Sequence, residues 1–217
     1  MPGRSAERDK RVAEILDAAT AVFARRGYAA ATVDAVAERA GVAKGTIYQY
    51  FESKEELLFA VFDRWTAQYF SRLQAKAASS GASAEEQLRR LVQAAVESAG
   101  EIQELYPLTF EFWAASSSLE MRERFVAQFR SMYRLFRDYV AGILRRGIEA
   151  GEFAPDVDVE AVGAMLVGAL DGFFLQVWFD PRLDAGKTCA GFVEVLIRGL
   201  KARPRGRRRS GGKDAKT

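Results

Sequence analysis

The 217-residue chain contains no histidine and a single cysteine, Cys189. Without histidine it has no imidazole to act as the general base of a nucleophilic triad or as a metal ligand. One cysteine makes neither an intrachain disulfide nor a thiolate cage. We therefore expect no metal and no cofactor. Cys189 itself is read as a small buried hydrophobe, with a redox-sensing thiol as the alternative.

Composition favours a globular chain with one small and one larger part. Hydrophobic residues make up 49% of the sequence, which is enough to bury a sizeable core. Residues 1–11 are polar and charged and lack the apolar run of a secretion signal, so we expect a cytoplasmic protein. No internal repeat is visible.

The segment from Thr32 to Lys54 reads as two short helices joined by a tight turn. Thr32 is a favourable N-cap, and apolar residues follow it at helical spacing until Gly41. Glycine adopts a positive φ without a Cβ clash, so the first helix should end there. A second helix, from residue 43 or 44 to Phe51, is too short to be stable alone. Ile47 and Phe51, one turn apart, should pin it to the rest of the domain.

The other face of this second helix displays amide, hydroxyl and ammonium groups that suit the base edges and phosphates of DNA. Gly45 costs about 1 kcal/mol relative to alanine inside a helix, which indicates that something approaches its backbone. Gln49 is the candidate for direct base readout, while Tyr48 packs on a thymine methyl and Tyr50 reaches a phosphate. Alternatively, either tyrosine packs inside the head. The face consists of Lys44, Gly45, Thr46, Tyr48, Gln49 and Tyr50.

A further helix is predicted to start at Ser53, because Ser53 and Glu56 match the S-x-x-E capping box before an apolar run. Lys54, in its first turn, opposes the helix dipole by roughly 0.3–1 kcal/mol. A phosphate of bound DNA would account for this lysine, and a solvated side chain is the alternative.

Upstream, residues 12–23 follow helical spacing that Gly27 closes, which adds a supporting first helix and completes a three-helix head. The order of that helix, a Gly-Tyr pair, the helix capped by Thr32, the sequence AGVAKGTIYQYF and the sequence SKEEL resembles the N-terminal domain of the TetR family of bacterial transcriptional regulators. The resemblance is specific over about residues 12–65.

This resemblance implies that Thr32 and Lys54 touch phosphates and that the face from Lys44 to Tyr50 lies against the operator. The family often has an aromatic residue where Gln49 stands and a histidine where Tyr50 stands. The base preference of the family is therefore not carried over to this chain.

The net charge of +3 is unevenly distributed. Residues 1–54 carry +2, residues 55–200 carry −6 and residues 201–217 carry +7, so the middle segment should not bind DNA. The basic tail has no apolar residues except alanine and is expected to be disordered. It either makes salt-sensitive phosphate contacts or is a solubilising terminus. The N-terminal arm either reaches a minor groove or starts a solvated helix, through Arg4, Arg8, Lys10 and Arg11.

The remainder of the chain reads as helical throughout, with Pro107 in the first turn of one helix and Asp158 capping another. We therefore predict an all-α fold. Residues 1–54 form the N-terminal arm and the helix-turn-helix head, residues 55–200 form a larger effector-binding and dimerisation body, and residues 201–217 form the tail. The predicted body helices after the one that starts at Ser53 cover residues 84–99, 105–115, 119–147 and 159–179.

The segment 159–179 is apolar almost all round and long enough to cross a bilayer. We reject a membrane span, because Asp171 at mid-helix would cost roughly 2.5–3.5 kcal/mol in lipid and the glycines of this helix suit close packing. A helix that is apolar on every side needs neighbours on every side, so a second copy should cover one face. The resemblance implies the same twofold dimer. The predicted dimerisation residues are Val162, Met165, Leu166, Phe173, Phe192, Val193, Leu196, Ile197 and Leu200.

Aromatic residues are concentrated on segments that should converge beneath the head, which favours an apolar effector pocket, although each ring can also be plain core. Glu111 and Asp171 are carboxylates in apolar surroundings. Each faces a cationic or hydrogen-bonding ligand, or pairs with an arginine such as Arg130 or Arg134. The candidate ligand-binding residues are Trp65, Tyr69, Phe110, Glu111, Trp113, Phe129, Tyr133, Asp171, Phe174 and Trp178.

Together these features predict a dimeric, ligand-responsive transcription regulator. It would be a repressor that a small apolar or amphipathic effector releases from a palindromic double-stranded DNA operator, with no membrane partner. A constitutive or architectural DNA-binding protein, with the same head and no effector, is the alternative. A small helical enzyme is disfavoured, because no nucleophile lies beside a general base at a recognisable spacing.

Overall fold

The computed structural model describes residues 2–78, 81–115 and 119–201, and every regular element in these ranges is a helix. The predicted all-α fold is confirmed. The basic tail after Lys201, and the prediction that it is disordered, lie outside the described residues. The helices are α1 (Pro2–Ala30), α2 (Val33–Ala40), α3 (Lys44–Tyr48), α4 (Lys54–Ala77), α5 (Ala84–Glu97), α6 (Ala99–Ala115), α7 (Leu119–Glu149), α8 (Val159–Phe179) and α9 (Ala185–Leu200).

The head consists of α1, α2 and α3. Gly27, with φ 74° and ψ 165°, breaks the helical geometry of α1 where the sequence predicted its end. The Thr32 hydroxyl accepts a hydrogen bond from Ala35 N at 3.2 Å, and α2 ends at Gly41 with φ 65°. Helix α3 has only five residues and stops before Phe51, so it is shorter than predicted. Ile47 and Phe51 are buried in the head core, as expected of residues that pin a short helix.

Helix α4 joins the head to the body. Its N-cap is Ser53, whose hydroxyl accepts from Glu56 N at 3.1 Å, which confirms this half of the predicted capping box. The Glu56 carboxylate accepts from Glu52 N instead of from the N-cap residue. The first two turns of α4 pack in the head core, together with Leu108 of α6 and Phe125 of α7, whereas later residues pack in a second core. The head and the body are therefore continuous in packing.

The body is built around α5, which packs against α4, α7 and α9, while α8 packs against α7 and α6 packs against α1. Helix α6 begins at Ala99, earlier than predicted, so Pro107 lies inside it and not in its first turn. The prediction was wrong because proline was taken as a helix-start signal. Because proline has no N–H, one backbone hydrogen bond of α6 is not formed. Pro107 is exposed, and the free-energy cost of a missing hydrogen bond is lowest at such a position.

The end of α7 is closed by a tightly packed loop. Phe153 is fully buried and lies over Gly147, where an added Cβ would meet the phenyl ring at 2.3 Å and Ala84 Cβ at 2.8 Å. Ala154 N donates to Leu200 O at 2.8 Å and ties the loop to the last residue of α9. The residue at position 147 must therefore have no side chain for this corner to pack.

Candidate nucleic-acid interface and effector cavity

The reading face of α3, defined by Lys44, Gly45, Thr46, Tyr48, Gln49 and Tyr50, is open to solvent over most of its residues. Tyr48 leaves 46% of its surface exposed, so its ring and hydroxyl are accessible to a partner. Thr46 and Tyr50 are half-buried, and the other residues of the face are exposed. Ile47 on the opposite side is 1% exposed, so the core holds α3 while its polar side remains free.

Gly45 has no neighbour in the described chain that explains it. A Cβ placed at this glycine meets nothing within 4 Å, and its φ is not in the left-handed region. Packing and backbone strain therefore do not require glycine here. A partner that approaches the backbone from outside remains as the physical reason for accepting the lower helix propensity.

Two side chains at the edge of this face have partners within the head. Lys44 Nζ donates to Asp34 Oδ2 at 2.8 Å, and this hydrogen bond raises the pKa of Lys44, which keeps its ammonium charged. The Tyr50 ring packs against the head core with the Arg8 guanidinium 5.8 Å from its centroid. Tyr50 is thus partly a packing residue, which was one of its two predicted roles.

Lys54 has an environment that sequence patterns did not suggest. Its ammonium donates to Tyr28 O at 2.9 Å and to Ala31 O at 3.1 Å, and it lies 4.3 Å from the centroid of the Tyr28 ring. Tyr28 in turn donates through its hydroxyl to Glu55 at 2.9 Å. A cation in the first turn of α4 is thus explained by the carbonyls that it satisfies between α1 and α2. The phosphate contact of Lys54 stays a prediction that concerns its third N–H.

Replacing Lys54 with methionine, which keeps the length of the side chain, should lower the free energy of unfolding by about 1–2 kcal/mol, because two carbonyls lose a charged donor. This corresponds to roughly 3–6 °C in Tm, measurable by circular dichroism. The salt dependence of DNA affinity tests the phosphate contact separately. If Lys54 contacts a phosphate, the slope of log affinity against log salt concentration should be smaller by about 0.9 per head in the variant. An unchanged Tm would contradict the structural role of Lys54.

Beneath the head, α4 to α8 line a partly open cavity of about 290 Å³. Its walls are almost entirely aliphatic and aromatic, and stacked or edge-on rings follow one another around it, such as Trp65 on Tyr69 at 5.0 Å and Phe70 against Phe136 at 5.3 Å. Such a chamber suits a ligand with a large apolar part.

Seven of the ten candidate ligand residues line this cavity: Trp65, Tyr69, Phe110, Phe129, Tyr133, Asp171 and Phe174. Trp178 does not line the cavity, but its ring packs against two residues that do, Tyr106 and Phe110. The side chain of Trp113 lies outside the described residues. Sequence reasoning missed α5, which contributes Leu91 and Ala95, because an aliphatic face on an amphipathic helix carries no sign of a ligand.

Glu111 was predicted to face a ligand or an arginine, and the structure corrects both alternatives. Its carboxylate accepts a hydrogen bond from Tyr28 N at 2.6 Å, just after Gly27. A Cβ at Gly27 would lie 2.5 Å from Glu111 Oε1, so the glycine makes room for the carboxylate. Glu111 therefore joins α6 of the body to the end of α1, one residue after the cavity residue Phe110.

Asp171 does face the cavity, as predicted. Its Oδ2 accepts from the Tyr133 hydroxyl at 2.6 Å, and neither Arg130 nor Arg134 pairs with it. Burial and this carboxylate raise the pKa of Tyr133 well above its usual range. Cys189 is buried, as predicted, and burial raises the pKa of its thiol, which disfavours a reactive thiolate.

The outer side of α8 and α9 forms an exposed apolar surface, which we call the α8–α9 face. It contains Met165 and Phe179, which are 72% and 71% exposed, and Val195, which is 59% exposed. Small residues lie between them, with Gly168 and Gly172 both exposed. In the described residues α8 is the one helix with the length and apolarity to span a membrane. Inside the molecule it packs against α7 on its other side.

The predicted dimerisation residues divide between the two sides of these helices. Met165 and Phe192 are exposed on the α8–α9 face, and Val162, Phe173 and Leu196 are half-buried. Four are corrected, because they are buried within the single chain: Leu166, Val193, Ile197 and Leu200. Helix α9 is apolar on both sides, and its inner side packs against α5. Val195 and Phe179 were missed on the outer side.

Comparisons with known proteins agree with this division into a head and a body. Residues 15–61 match the family model described as bacterial regulatory proteins, tetR family, and residues 84–198 match the model described as BetI-type transcriptional repressor, C-terminal. The HTH-type transcriptional activator FasR of Mycolicibacterium smegmatis is 38% identical over 202 residues, covering 93% of this chain and 88% of the relative.

Two further relatives extend these matches. The HTH-type transcriptional repressor KstR2 of Mycobacterium tuberculosis is 30% identical over 195 residues, covering 88% of this chain and 94% of the relative. The crystal structure of the transcriptional regulator FadR from Bacillus subtilis in complex with stearoyl-CoA superposes with a TM-score of 0.67 at 28% identity, covering 86% of this chain and 98% of that one.

Proposed function

The chain belongs to the TetR family of bacterial regulatory proteins and is a DNA-binding transcription regulator rather than an enzyme, and we propose that it is a dimeric, cytoplasmic repressor released from its operator by a small amphipathic effector. The observation that carries the DNA-binding assignment is α3. Its polar face is exposed and includes an unexplained glycine, while Ile47 holds its other side in the core. We keep a head, a body and a basic tail as the functional division, with α4 shared between the first two.

The dimer is proposed from the α8–α9 face. Exposed apolar patches of this kind mark interaction sites, and the small residues of α8 would let a second copy of the helix approach closely. A twofold dimer would present two copies of α3 on one side. Their operator would be a palindrome with half-sites about one turn of DNA apart, roughly 34–36 Å.

The effector site is proposed to be the cavity between α4 and α8, because its apolar walls suit the body of an amphiphile. In the related FadR the ligand is stearoyl-CoA, which also has a long apolar part. Helix α6 carries Tyr106 and Phe110 in the cavity wall and Glu111 on Tyr28 N. A ligand that displaces α6 would therefore act on the joint between α1 and α2, and α4 offers a second route from the cavity to the head.

A repressor is favoured over an activator because the C-terminal match is to a family of transcriptional repressors. The relatives include both a repressor and an activator, so the direction of control is decided by reporter expression with and without the gene. Higher reporter expression on deletion is the expected outcome.

Tyr48→Ala and Lys44→Ala should each weaken operator binding at least tenfold while leaving the dimer intact. Tyr48 supplies exposed contact area for bases, where one good contact is worth about 1–3 kcal/mol, and Lys44 supplies a charge for a phosphate. The operator is first selected from random DNA fragments, and affinities are then measured by gel-shift titration.

Arg134→Ala is the matched control, because it also removes one positive charge but from an exposed position of α7. It should leave the affinity unchanged. If Tyr48→Ala and Lys44→Ala bound like the unmodified protein, α3 would not be the reading helix. A constitutive DNA-binding protein is the competing function, and it predicts that no small molecule changes operator affinity.

A further inference from the structure

The described wall of the cavity carries negative charge and no positive charge. Among its described lining residues Asp171 is the only one with a formal charge, and no lysine or arginine lies in the wall. The Tyr133 hydroxyl occupies Oδ2 of that carboxylate at 2.6 Å, and Oδ1 remains as an acceptor. A second polar atom that entered the cavity at this point would meet a negative charge and no positive one.

A hydroxyl in the same cavity wall as Asp171 has no hydrogen-bond partner within the described part of the chain. Tyr106 is 9% exposed and lines the cavity, and its Oη has no hydrogen-bond partner in the described residues. Burial, together with the nearby Asp171, raises the pKa of Tyr106 to about 12. Its hydroxyl is therefore protonated at neutral pH and available as a donor. Buried polar groups without partners are uncommon, and each one calls for a physical explanation.

Asp171 and Tyr106 offer complementary hydrogen-bonding groups, an acceptor and a donor. Asp171 Oδ1 can accept a further hydrogen bond, and the buried Tyr106 Oη–H needs an acceptor. From this pairing we infer that the effector carries an uncharged polar group that both donates and accepts, a primary amide or a hydroxyl, attached to the apolar body that fills the ring-lined chamber. This inference rests on the proposed function of the cavity as the effector site.

The same arrangement disfavours two common head groups relative to a neutral one. A carboxylate would place a second negative charge beside Asp171, and like charges repel each other even though the Asp171 side chain is exposed. An ammonium would satisfy Asp171 but would leave the Tyr106 hydroxyl without an acceptor. Selectivity for a neutral group is thus built from one acceptor and one donor, with no cation among the described residues of the wall.

Isothermal titration of the full chain, without DNA, with four ligands that share one ten-carbon chain tests this inference. The ligands are decanamide, decanoate, decylamine and N,N-dimethyldecanamide, which accepts but does not donate. Decanamide should bind most tightly, decanoate at least tenfold more weakly, and the other two in between. Binding of decanoate or decylamine as tight as that of decanamide would overturn the inference, and so would the absence of binding by all four.

Tyr106→Phe separates the assigned role from a merely structural one. It removes a buried hydroxyl that lacks a partner, so the ligand-free protein should gain roughly 2–4 °C in Tm. Affinity for decanamide should fall about tenfold. Thr66→Val is the matched control, because Thr66 Oγ1 is also buried, has no partner in the segments that the structure describes, and does not line the cavity. It should raise Tm and leave decanamide affinity unchanged.

Asp171→Asn should reduce the difference between decanamide and decanoate to about threefold or less, because the like charge is gone. If decanoate stays tenfold weaker in this variant, the carboxylate is not what excludes it. Failure of the proposed function would look different. In that case decanamide would bind with the predicted selectivity and yet release no operator DNA in a gel shift.

Discussion

An arginine in place of Gly168 is expected to convert the dimer into monomers and to lower affinity for a palindromic operator about 100-fold or more. Gly168 lies exposed at the middle of α8, between Met165 and Gly172 on the α8–α9 face. A charge without a partner would be buried there on association, which dimerisation does not tolerate. Once the two heads are no longer linked, the second half-site contact loses its high effective concentration.

The single chain should accept this substitution, since a Cβ placed at Gly168 meets none of the described residues within 4 Å. Any change in Tm of the Gly168→Arg variant would therefore come from the loss of the second copy of the chain. Sedimentation velocity gives the oligomeric state, and a gel shift with one half-site should show little change. Ala127→Arg, at an exposed position of α7, adds the same charge away from this face and should remain dimeric. A Gly168→Arg protein that sediments as a dimer would show that the interface lies elsewhere.

Gly147→Ala should destabilise the fold by about 3 kcal/mol, near the upper end of the cost of overpacking a core. The new methyl would lie 2.3 Å from the Phe153 ring and 2.8 Å from Ala84 Cβ, so the loop after α7 or the start of α5 must move. Tm should fall by roughly 6–12 °C in a calorimetric scan. DNA affinity measured well below the transition should be unchanged, because Ala84 and Phe153 belong to the body core and α3 packs in the head core.

Gly142→Ala in the same helix is the control for this prediction. Among the described residues, a Cβ at Gly142 meets only the Arg146 guanidinium, at 3.5 Å, which is ordinary contact with a flexible side chain. Alanine is the better helix former by about 1 kcal/mol, so Gly142→Ala should be neutral or stabilising. Equal effects of the two substitutions would show that helix propensity, and not the contact with Phe153, determines what Gly147 contributes.

The head was predictable because its signals are local. Thr32, Gly41 and Ser53 each act on backbone groups within a few residues, so their capping and turn roles could be read from spacing alone. Ile47 and Phe51, which hold α3 in the core, could be predicted because they are spaced one helical turn apart. The length of α3 was overestimated, because its last residues form a turn that the apolar spacing does not reveal.

Roles that depend on distant partners were not predictable in the same way. The residues near Lys54 in sequence do not indicate that its ammonium binds the carbonyls of Tyr28 and Ala31. Glu111 is 83 residues away from Tyr28, whose backbone N–H donates to its carboxylate. The apolar residues of α9 lie on both sides of the helix, so spacing could not distinguish the side that packs on α5 from the side that faces outward. Three-dimensional contacts decide such cases.

The length of α4 has a mechanical consequence for regulation. Its 24 residues form a rod about 36 Å long, with one end at the head and the middle at the cavity. A tilt of only about 5° over that length moves the far end by roughly 3 Å, whereas a hydrogen bond to a base tolerates only about half an ångström. A small shift of the cavity walls by an effector would therefore become a larger displacement at the head end of α4, which in the proposed dimer would move the two heads out of register with successive major grooves.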